Sequence, residues 1–333
     1  MMGKGSRLSK SIALDLGSSN LYWCDAQSEE VVAEANIALV DDKKRRVVEV
    51  GDAAASAVGR AEGHHHVVRP IRNGRIEDVS MAERYFSMIF SKIGFGRLRK
   101  PDLAVVAPIF CTEAEKRVLA AAMMKAGAGS VIFVDALVAA AVGALLDFQG
   151  PRGSMVASVG AQTTFAGVMG LGESLTSSWE LVGGDTVSNA ISSYLRSSYN
   201  IVLVDSDLEE LKLSLLDLAN PHMELSARVV GRDAETGGEA EAMISAREIY
   251  DASAESAKLI VETILSALTT APPEISNDLV ETGLTLVGRA SLTTGLDVVV
   301  GQACAIPVFR SVVVETASVI GAARILNQVS LGD

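Results

Sequence analysis

Short apolar stretches alternate with amphipathic stretches along most of the chain, and each type predicts a different element. Leu103 to Ala107 and Val131 to Val134 are short apolar runs, which are typical of buried strands. Val79 to Ile93 has apolar residues at helical spacing, and Thr112 with Glu115 forms a capping box at the start of another helix. This mixture of strands and helices predicts an α/β or α+β fold.

Two segments share one pattern, in which a turn with glycine and polar side chains joins two apolar strands. The first segment is Ser11 to Cys24, with the turn Gly17-Ser-Ser-Asn20. The second is Ser154 to Met169, with the turn Gly160-Ala-Gln-Thr163. Because the second copy follows Gly150-Pro-Arg-Gly153, which is typical of a domain boundary, we predict a duplicated pair of domains.

Most of the remaining helices can also be predicted from periodicity and caps. They cover Ala136–Leu146, Thr186–Tyr199, Asp207–Leu216, Ser245 to about Ala271, and Thr316–Asn327. A strand is predicted at Leu284–Val287, and another at Pro307–Phe309. The segment from Val67 to Asp78 holds Pro70 and Asn73-Gly74 and is predicted to be irregular.

Composition and charge exclude several classes of protein. The chain has 333 residues, 49% of them hydrophobic, so it can bury a large core and is not a disordered protein. Its net charge is −12, with 29 basic and 41 acidic residues, which makes nucleic acid an unsuitable partner. The most apolar stretch, Val131 to Leu146, is shorter than the roughly 20 residues of a bilayer span and contains Asp135. No signal peptide is expected at the N-terminus.

The cysteines and histidines do not indicate a disulfide framework or a metal site. Cys24, Cys111 and Cys304 are far apart in the sequence, which fits a reduced cytosolic compartment. His64-His-His66 could suggest a metal site, but three consecutive side chains of a strand cannot all face one ion. We interpret this segment as an exposed loop.

Asp15 and the turn that follows it carry the first candidate chemistry. Asp15 lies at the end of a predicted strand, and backbone amides and hydroxyls follow at Gly17-Ser-Ser-Asn20. Such amides can bind phosphate, and a carboxylate beside them can hold hydrated Mg²⁺. An ordinary hairpin turn remains an equal alternative at this point.

Eight short motifs appear in an order and spacing that resembles the MreB-type bacterial actins, with the magnetosome actins as a more distant match. They are Asp15-Leu-Gly-Ser-Ser-Asn20, Arg69-Pro-Ile-Arg-Asn-Gly74-Arg-Ile-Glu-Asp78, Thr112-Glu-Ala-Glu-Lys-Arg117, Asp135-Ala-Leu-Val-Ala-Ala-Ala-Val-Gly143, Ser158-Val-Gly-Ala-Gln-Thr-Thr164, Val182-Gly-Gly-Asp185, Leu208-Glu-Glu-Leu-Lys212 and Leu286-Val-Gly288 with Arg289 to Asp297 and Ile306-Pro307. The resemblance covers Ile12 to Leu326, which is nearly the whole chain. Each motif alone is weak, but their common register is specific.

The resemblance implies an α/β, actin-like fold: a duplicated ribonuclease H-like pair of domains with a central nucleotide cleft and four subdomains. Domain I would cover residues 1–148, with a small subdomain at about 30–68 and the C-terminal helix 316–330 returning to it. Domain II would cover residues 151–315, with a small subdomain at about 186–245.

The resemblance also implies ATP and Mg²⁺ as possible cofactors and assigns the residues that would hold them. Asp15 would hold Mg²⁺ through water. The residues of the nucleotide site would be Ser18, Ser19, Asn20, Gly160, Ala161, Gln162, Thr163, Gly183, Gly184, Asp185, Glu209, Glu210, Lys212 and Gly288.

Departures from the family pattern predict weak or absent hydrolysis. Ser158 stands where the family has a second acid, and Ala161 and Gln162 replace glycines, whose backbone freedom is greater. Arg289 enters the nucleoside loop. Ala136 stands at the usual position of the glutamate that orients water, which leaves Asp135, one position away, as a doubtful catalytic candidate.

A basic segment with apolar residues, Ser91 to Lys100, predicts contact with an anionic membrane surface. Phe95 and Leu98 would form the membrane loop, among four cations. The family has an apolar loop that touches the membrane at this place. The alternative is a solvated loop whose Phe95 packs on the core.

Three classes of function fit these observations to different degrees. The first is a cytoplasmic, membrane-associated filament protein that binds copies of itself at the inner face of the cell membrane and organises cell shape, cell-wall synthesis or organelle position. The second is a sugar-kinase or chaperone-type ATPase on the same fold, for which the sequence offers no separate substrate domain. The third is a non-polymerising accessory that regulates another bacterial actin.

Overall fold

The computed structural model describes residues 11–44, 46–57, 63–95, 100–222 and 224–332. The chain divides into two compact units. Unit 1 takes the chain up to Leu145 together with the segment from Thr316 onward, and unit 2 takes Leu146–Glu315.

The elements of unit 1 that precede unit 2 in the chain are β1 (Ser11–Leu16), β2 (Asn20–Asp25), β3 (Val31–Ala35), β4 (Ala38–Asp41), β5 (Arg46–Val50), α1 (Asp52–Ala55), β6 (His65–Val68), β7 (Ile71–Arg72), β8 (Arg75–Ile76), α2 (Val79–Lys92), β9 (Asp102–Ala107), α3 (Glu113–Ala126), β10 (Ser130–Asp135) and α4 (Ala136–Gly143).

Unit 2 contains β11 (Ser154–Val159), β12 (Thr164–Gly170), β13 (Glu173–Glu180), α5 (Gly184–Tyr199), β14 (Ile201–Val202), α6 (Asp205–Leu215), β15 (Ser226–Asp233), β16 (Glu239–Ser245), α7 (Ala246–Thr269), α8 (Pro273–Thr282), β17 (Leu284–Val287), α9 (Leu296–Cys304) and β18 (Val308–Arg310), with a 3₁₀ turn at Arg289–Leu292. The last helix, α10 (Ala317–Gly332), belongs to unit 1.

Each unit is built on a five-stranded sheet of the same design. In unit 1 the order is β10-β9-β1-β2-β3, with β1, β9 and β10 parallel and β2 and β3 antiparallel. In unit 2 the order is β18-β17-β11-β12-β13, again with three parallel strands followed by two antiparallel ones. The predicted duplication is therefore confirmed, and the hairpin turn occupies the same place in both sheets.

The core of unit 1 is formed by helices that pack on the main sheet and on one another. Tyr85, Phe86 and Ile89 of α2 are buried against apolar side chains of β1 and β9. Another contact is between helices α4 and α10, where backbones touch: a Cβ on Gly143 would lie 1.8 Å from the Ala317 carbonyl oxygen, and one on Gly321 would lie 1.9 Å from that of Ala139. Only glycine permits this approach, which holds the C-terminal helix in unit 1.

A smaller three-stranded sheet accompanies the main sheet of each unit. The order is β5-β4-β6 in unit 1 and β14-β15-β16 in unit 2. These strands fall inside the segments 30–68 and 186–245, for which small subdomains are predicted.

A half-buried carboxylate joins α5 to α7 in unit 2. Glu248 Oε1 accepts hydrogen bonds from the hydroxyls of Tyr194, at 2.6 Å, and Tyr199. Although burial opposes ionisation, these bonds and those from Ser245 lower the pKa of Glu248 to about 2. Ser245 and Glu248 also form the predicted capping box at the start of α7.

Several sequence predictions need correction. Val67–Asp78 is not irregular: Asn73 and Gly74 take positive φ of 50° and 68°, which makes a tight turn between β7 and β8. His65 and His66 are exposed but begin strand β6 rather than lying in a loop, and His66 Nδ1 is 3.0 Å from Asp42 Oδ1. The helix predicted over Ala136–Leu146 ends at Gly143.

Strand β13 and helices α8 and α9 differ from the other elements in composition. Strand β13 is polar, so its sequence lacks the alternation of a half-buried strand. Helix α8 begins at a proline, and helix α9 contains three consecutive valines, which favour strands when context is ignored. None of the helices in the described ranges combines the length and apolar character needed to cross a membrane.

Candidate functional site

Asp15 is the candidate binding carboxylate of unit 1. It lies on β1 level with Val106 of the parallel strand β9, near the carboxyl edge of the sheet, and is half-buried. Burial raises the pKa of Asp15 to about 6. No cation or hydrogen-bond donor of the described residues contacts this carboxylate. A desolvated carboxylate without a partner marks a candidate binding site, because a cation would stabilise its charged form.

The chemistry of this donor set fits a hydrated Mg²⁺ held together with phosphates. Among the described residues no group of three potential metal ligands converges on one point. Mg²⁺ commonly retains waters and takes one or two carboxylates plus substrate phosphate oxygens. Asp15 is therefore suited to hold a hydrated Mg²⁺ through water.

Carbonyl groups of the first turn, Gly17 to Asn20, accept hydrogen bonds from other segments of unit 1. The side-chain amide of Asn36 donates to the carbonyl oxygens of Gly17 at 3.2 Å and Ser18 at 3.1 Å, and Asn36 N–H donates to that of Ser19 at 2.9 Å. Arg69 Nη1 also donates to the Ser18 carbonyl oxygen, at 3.1 Å. In the described part of the chain the N–H groups of Ser18 and Ser19 donate to no protein acceptor.

The tight turn between β7 and β8 supports this first turn from another side. The backbone N–H of Asn73 donates to Ser18 Oγ at 3.0 Å, and Ser18 is buried. The Asn36 side chain reaches the same segment, donating to the Ile71 carbonyl oxygen at 2.6 Å. Asn20 begins β2, where its side chain lies 3.4 Å from the Tyr22 hydroxyl.

Asn36, Arg69 and Asn73 were not predicted as part of the site. Arg69 and Asn73 belong to a motif that carried the family resemblance, but no role could be assigned to them from the sequence. Asn36 stands alone between apolar strands, and an isolated polar residue in such a context is the signal that was available.

The second turn, Gly160 to Thr163, packs directly on the beginning of helix α5. The N–H groups of Gly184 and Asp185 donate to the carbonyl oxygens of Gly160, at 3.0 Å, and Ala161, at 2.7 Å. A Cβ on Gly183 would lie 2.5 Å from the Gly160 oxygen, so this approach requires glycine. The N–H groups of Ala161 and Gln162 have no acceptor in the described part of the protein.

Side chains at positions 161 and 162 do not distort the second turn. Neither Ala161 nor Gln162 takes a positive φ, so the loss of glycine there removes freedom that this turn does not need. Gln162 Nε2 instead donates to Asp185 Oδ2 at 3.0 Å, which adds a side-chain link to the backbone contacts. The turn thus has a backbone conformation that residues other than glycine adopt, and the expected loss of backbone freedom stays a prediction.

Ser158 and Gly288 lie at the base of the second turn. Ser158 is buried and level with Val287 of the parallel strand β17. Gly288 has a φ of +84°, and a Cβ there would lie 2.5 Å from the Val159 carbonyl oxygen and 2.9 Å from Ser158 Oγ. Arg289, which follows, is exposed and makes no ion pair within the described ranges. Unit 2 thus brings together its predicted hairpin, Gly183–Asp185 and Gly288.

Helix α6 contributes an ion pair beside α5. Lys212 Nζ is 2.5 Å from Glu209 Oε2 and 3.2 Å from Ser188 Oγ on α5, and its side chain is largely buried. Glu210 is exposed. Of the three residues predicted here, Lys212 and Glu209 are joined to the helix that begins at Gly184.

Asp135 has a structural task in unit 1. It is exposed at the start of α4, and its Oδ1 accepts from the N–H groups of Leu137 at 2.8 Å and Val138 at 3.3 Å. Ala136 is buried. Asp15 and Asp135 lie two strands apart, about 10 Å across the sheet. The catalytic role of Asp135 stays a prediction, and helix capping already engages one of its oxygens.

Phe95 packs toward the core of unit 1. Its ring centroid is 6.2 Å from that of Phe90 in an edge-to-face arrangement, and its backbone N–H donates to the Phe90 carbonyl oxygen. Leu98, the other predicted membrane residue, lies outside the described residues.

Two five-stranded sheets of one design, each with a hairpin turn between corresponding strands, fit the actin-like class of α/β proteins. The family model described as MreB/Mbl protein matches residues 9–332, so the chain belongs to the MreB/Mbl family.

Curated relatives and solved structures agree with this membership. The chain is 28% identical to the cell shape-determining protein Mbl of Bacillus subtilis over 302 residues, 90% of each chain, and 29% identical to the cell shape-determining protein MreB of Escherichia coli over 307 residues, 90% of this chain and 88% of that one. The structure of MreB5 of Spiroplasma citri bound to ADP matches with a TM-score of 0.87 and 26% identity over 97% of both chains. A MamK double helical filament matches with a TM-score of 0.76 at 14% identity, over 95% of this chain and 99% of that one, which shows the shared fold.

Proposed function

We propose that this protein binds Mg-ATP and Mg-ADP through the two hairpin turns and assembles with copies of itself into filaments that organise cell shape, cell-wall synthesis or the position of an organelle. The observation that carries the proposal is the pair of turns whose carbonyl groups are bonded to the protein while their amides are free. Free amides are donors for phosphate. The related MreB5 structures contain ADP and AMPPNP, which supports a nucleotide as the ligand.

Self-assembly is supported by the relatives. MamK, on the same fold, forms a double helical filament, and the curated relatives determine cell shape. A head-to-tail contact does not close on itself and gives filaments. The alternative is a non-polymerising accessory that regulates another bacterial actin. Ser158 and Ala136 support this alternative, because both depart from the pattern of an active ATPase.

Sedimentation and electron microscopy of the purified protein distinguish these two functions. We expect protofilaments with ATP and with AMPPNP, because the free amides bind triphosphate and assembly has little need of hydrolysis. Monomers in every nucleotide state, with and without lipid, would contradict the filament proposal and favour the accessory function.

Hydrolysis of ATP is proposed to be very slow. Asp15 can hold Mg²⁺ and the turn amides can bind phosphate, but Ser158 supplies no second carboxylate and Ala136 cannot polarise water. Loss of one such group commonly lowers the rate on the order of 10²-fold. Phosphate release should therefore be slow in the wild type and at least tenfold faster in Ala136→Glu combined with Ser158→Asp.

Both substituted positions are buried, so the folding of this double variant must be checked by its melting temperature. A wild-type rate as high as that of ordinary bacterial actins would show that Asp135, Gln162 or another residue aligns the water, and the proposal of impaired hydrolysis would be wrong.

Binding to the inner membrane surface is proposed to depend on the segment after Phe95. Because Phe95 packs on Phe90, its replacement would damage the core of unit 1, and Leu98 is the cleaner target. Leu98→Ser should reduce flotation with anionic vesicles, while binding to neutral vesicles is weak for both proteins. Phe95→Leu serves as a control for stability. Equal flotation of Leu98→Ser and the wild type would remove this segment from the proposal.

A further inference from the structure

Asn36 is a buried polar residue beside the first turn. It is fully buried, and its Oδ1 has no hydrogen-bond partner among the described residues. An apolar side chain of similar shape would avoid that cost, because a buried unpaired acceptor destabilises a protein. A residue kept in spite of such a cost is expected to serve the site rather than the fold.

Asn36 donates to four carbonyl oxygens, three of which belong to consecutive residues of the first turn; the fourth, at 2.6 Å from the side-chain nitrogen, is that of Ile71. Its side-chain nitrogen lies 3.2 Å from the Gly17 oxygen and 3.1 Å from the Ser18 oxygen, and its backbone N–H is bonded to the Ser19 oxygen. The side chain thus holds two peptide groups in one orientation. The third contact is between main-chain atoms and does not depend on which side chain stands at position 36.

The orientation of these carbonyl groups also fixes the orientation of the N–H groups in the same peptides. No described peptide bond is cis, and in a trans peptide the N–H points opposite to the C=O of the preceding residue. The carbonyls of Gly17 and Ser18 face Asn36, so the N–H groups of Ser18 and Ser19 face the other way. Those are the two amides without a protein acceptor.

We propose that Asn36 is a positioning residue for nucleotide binding, whose side-chain amide holds the Gly17 and Ser18 carbonyls so that the Ser18 and Ser19 amides point at a phosphate group of the nucleotide. Arg69 assists on one of the two peptides, through its bond to the Ser18 oxygen. The proposal rests on nucleotide binding as the function and adds the side chain that prepares the first turn for it.

The test compares substitutions at Asn36 with one that lowers stability elsewhere. Asn36→Leu removes the donors and keeps the volume, whereas Asn36→Asp keeps the shape and places a carboxylate against the carbonyl oxygens. We expect affinity for a fluorescent ATP analogue with Mg²⁺ to fall roughly tenfold or more in Asn36→Leu and further in Asn36→Asp. Arg69→Met should have a smaller effect, about threefold, because the Ser18 carbonyl oxygen keeps its hydrogen bond from Asn36.

Tyr194→Phe is the matched control. It removes a partly buried hydroxyl bonded to Glu248 in unit 2 and should lower the melting temperature without changing nucleotide affinity. An equal loss of affinity in Tyr194→Phe and Asn36→Leu at similar stability would mean that Asn36 acts through the fold alone, and the proposal would be overturned.

A second measurement needs no nucleotide. With ¹⁵N-serine labelling, the Ser18 and Ser19 amide resonances of the free protein should shift or broaden in Asn36→Leu and stay in place in Tyr194→Phe. Unchanged resonances would overturn the positioning role. A wild type that binds no nucleotide would instead overturn the proposed function, and the serine resonances would still decide whether Asn36 orients the turn.

Discussion

The two hairpin turns occupy the same place in two sheets of the same order, yet they are held by different means. In the turn at Gly17–Asn20 a side chain, Asn36, binds the carbonyl groups, with help from Arg69. In the turn at Gly160–Thr163 the backbone amides of Gly184 and Asp185 do so. Both arrangements leave two amides free. The duplicated fold therefore keeps two free amides in each turn, while the groups that support the turn differ.

The two turns should therefore respond differently to substitution. A side chain can be removed by one mutation, whereas a backbone donor stays whatever the side chain is. The first turn should be sensitive at position 36, and the second should be sensitive only where a new atom blocks the approach of helix α5. The charge also differs, since Asp15 has a carboxylate and its counterpart Ser158 has none.

The largest effect is expected from Gly183→Ala. The new methyl group would lie 2.5 Å from the Gly160 oxygen and 2.7 Å from the Ala161 oxygen, so the turn and helix α5 must separate. We expect a loss of about 3 kcal/mol in the free energy of unfolding, together with weaker nucleotide binding. Urea denaturation measures the first and fluorescence titration the second.

Gly184→Ala is the control for that prediction. Its methyl group would meet only the Cβ of Ala290, at 3.1 Å, so the cost should be below about 1 kcal/mol. Equal destabilisation by both substitutions would show that close packing of the turn on α5 is not what supports it.

Asp15→Asn should have opposite effects with and without ligand. The folded-state pKa of Asp15 is raised from 3.8 to about 6, so the charged form destabilises the free protein progressively between these values and fully above pH 6. The variant should be more stable than the wild type by about 2–3 kcal/mol at pH 8 and equal to it below pH 4. It should also lose stabilisation by Mg-ATP, because the carboxylate that would hold Mg²⁺ is gone.

Melting curves from pH 4 to 8, with and without Mg-ATP, check both effects. Asp135→Asn is the matched control: Asp135 is exposed and caps a helix, a task that asparagine performs equally well. If Asp15→Asn and Asp135→Asn give the same pH profile, burial of Asp15 is not the source of the effect.

The smallest effect is expected from Gln162→Ala. It removes the bond to Asp185 but leaves both backbone contacts of the second turn. The free energy of unfolding should be about 0.5–1.5 kcal/mol lower than in the wild type, and nucleotide affinity should change less than about threefold. A double-mutant cycle with Asp185→Ala isolates the pair. A loss of affinity as large as in Asn36→Leu would mean that the second turn also depends on a side chain.

The main sheets and both turns could be predicted because their signals are local. Apolar runs marked β1, β9 and β11, the capping boxes marked α3 and α7, and the repeated turn indicated the duplication. Strand β13 was missed because its polar composition runs against its structure, and the short hairpin of β7 and β8 was missed although Asn73-Gly74 is a turn signal. Such cases are decided by neighbouring elements rather than by propensity.

The sequence by itself determined the family, the duplicated fold and the residues at which the chain departs from the family pattern, since all of these depend on residue identity and order. Only the tertiary structure decided what those residues do. Asp135 proved to be a helix cap, Gln162 a partner of Asp185, and Asn36 a donor to the carbonyl groups of the first turn. The reason is physical: a hydrogen bond depends on the position of two groups far apart in sequence, such as Asn36 and Ile71, and only folding brings them together.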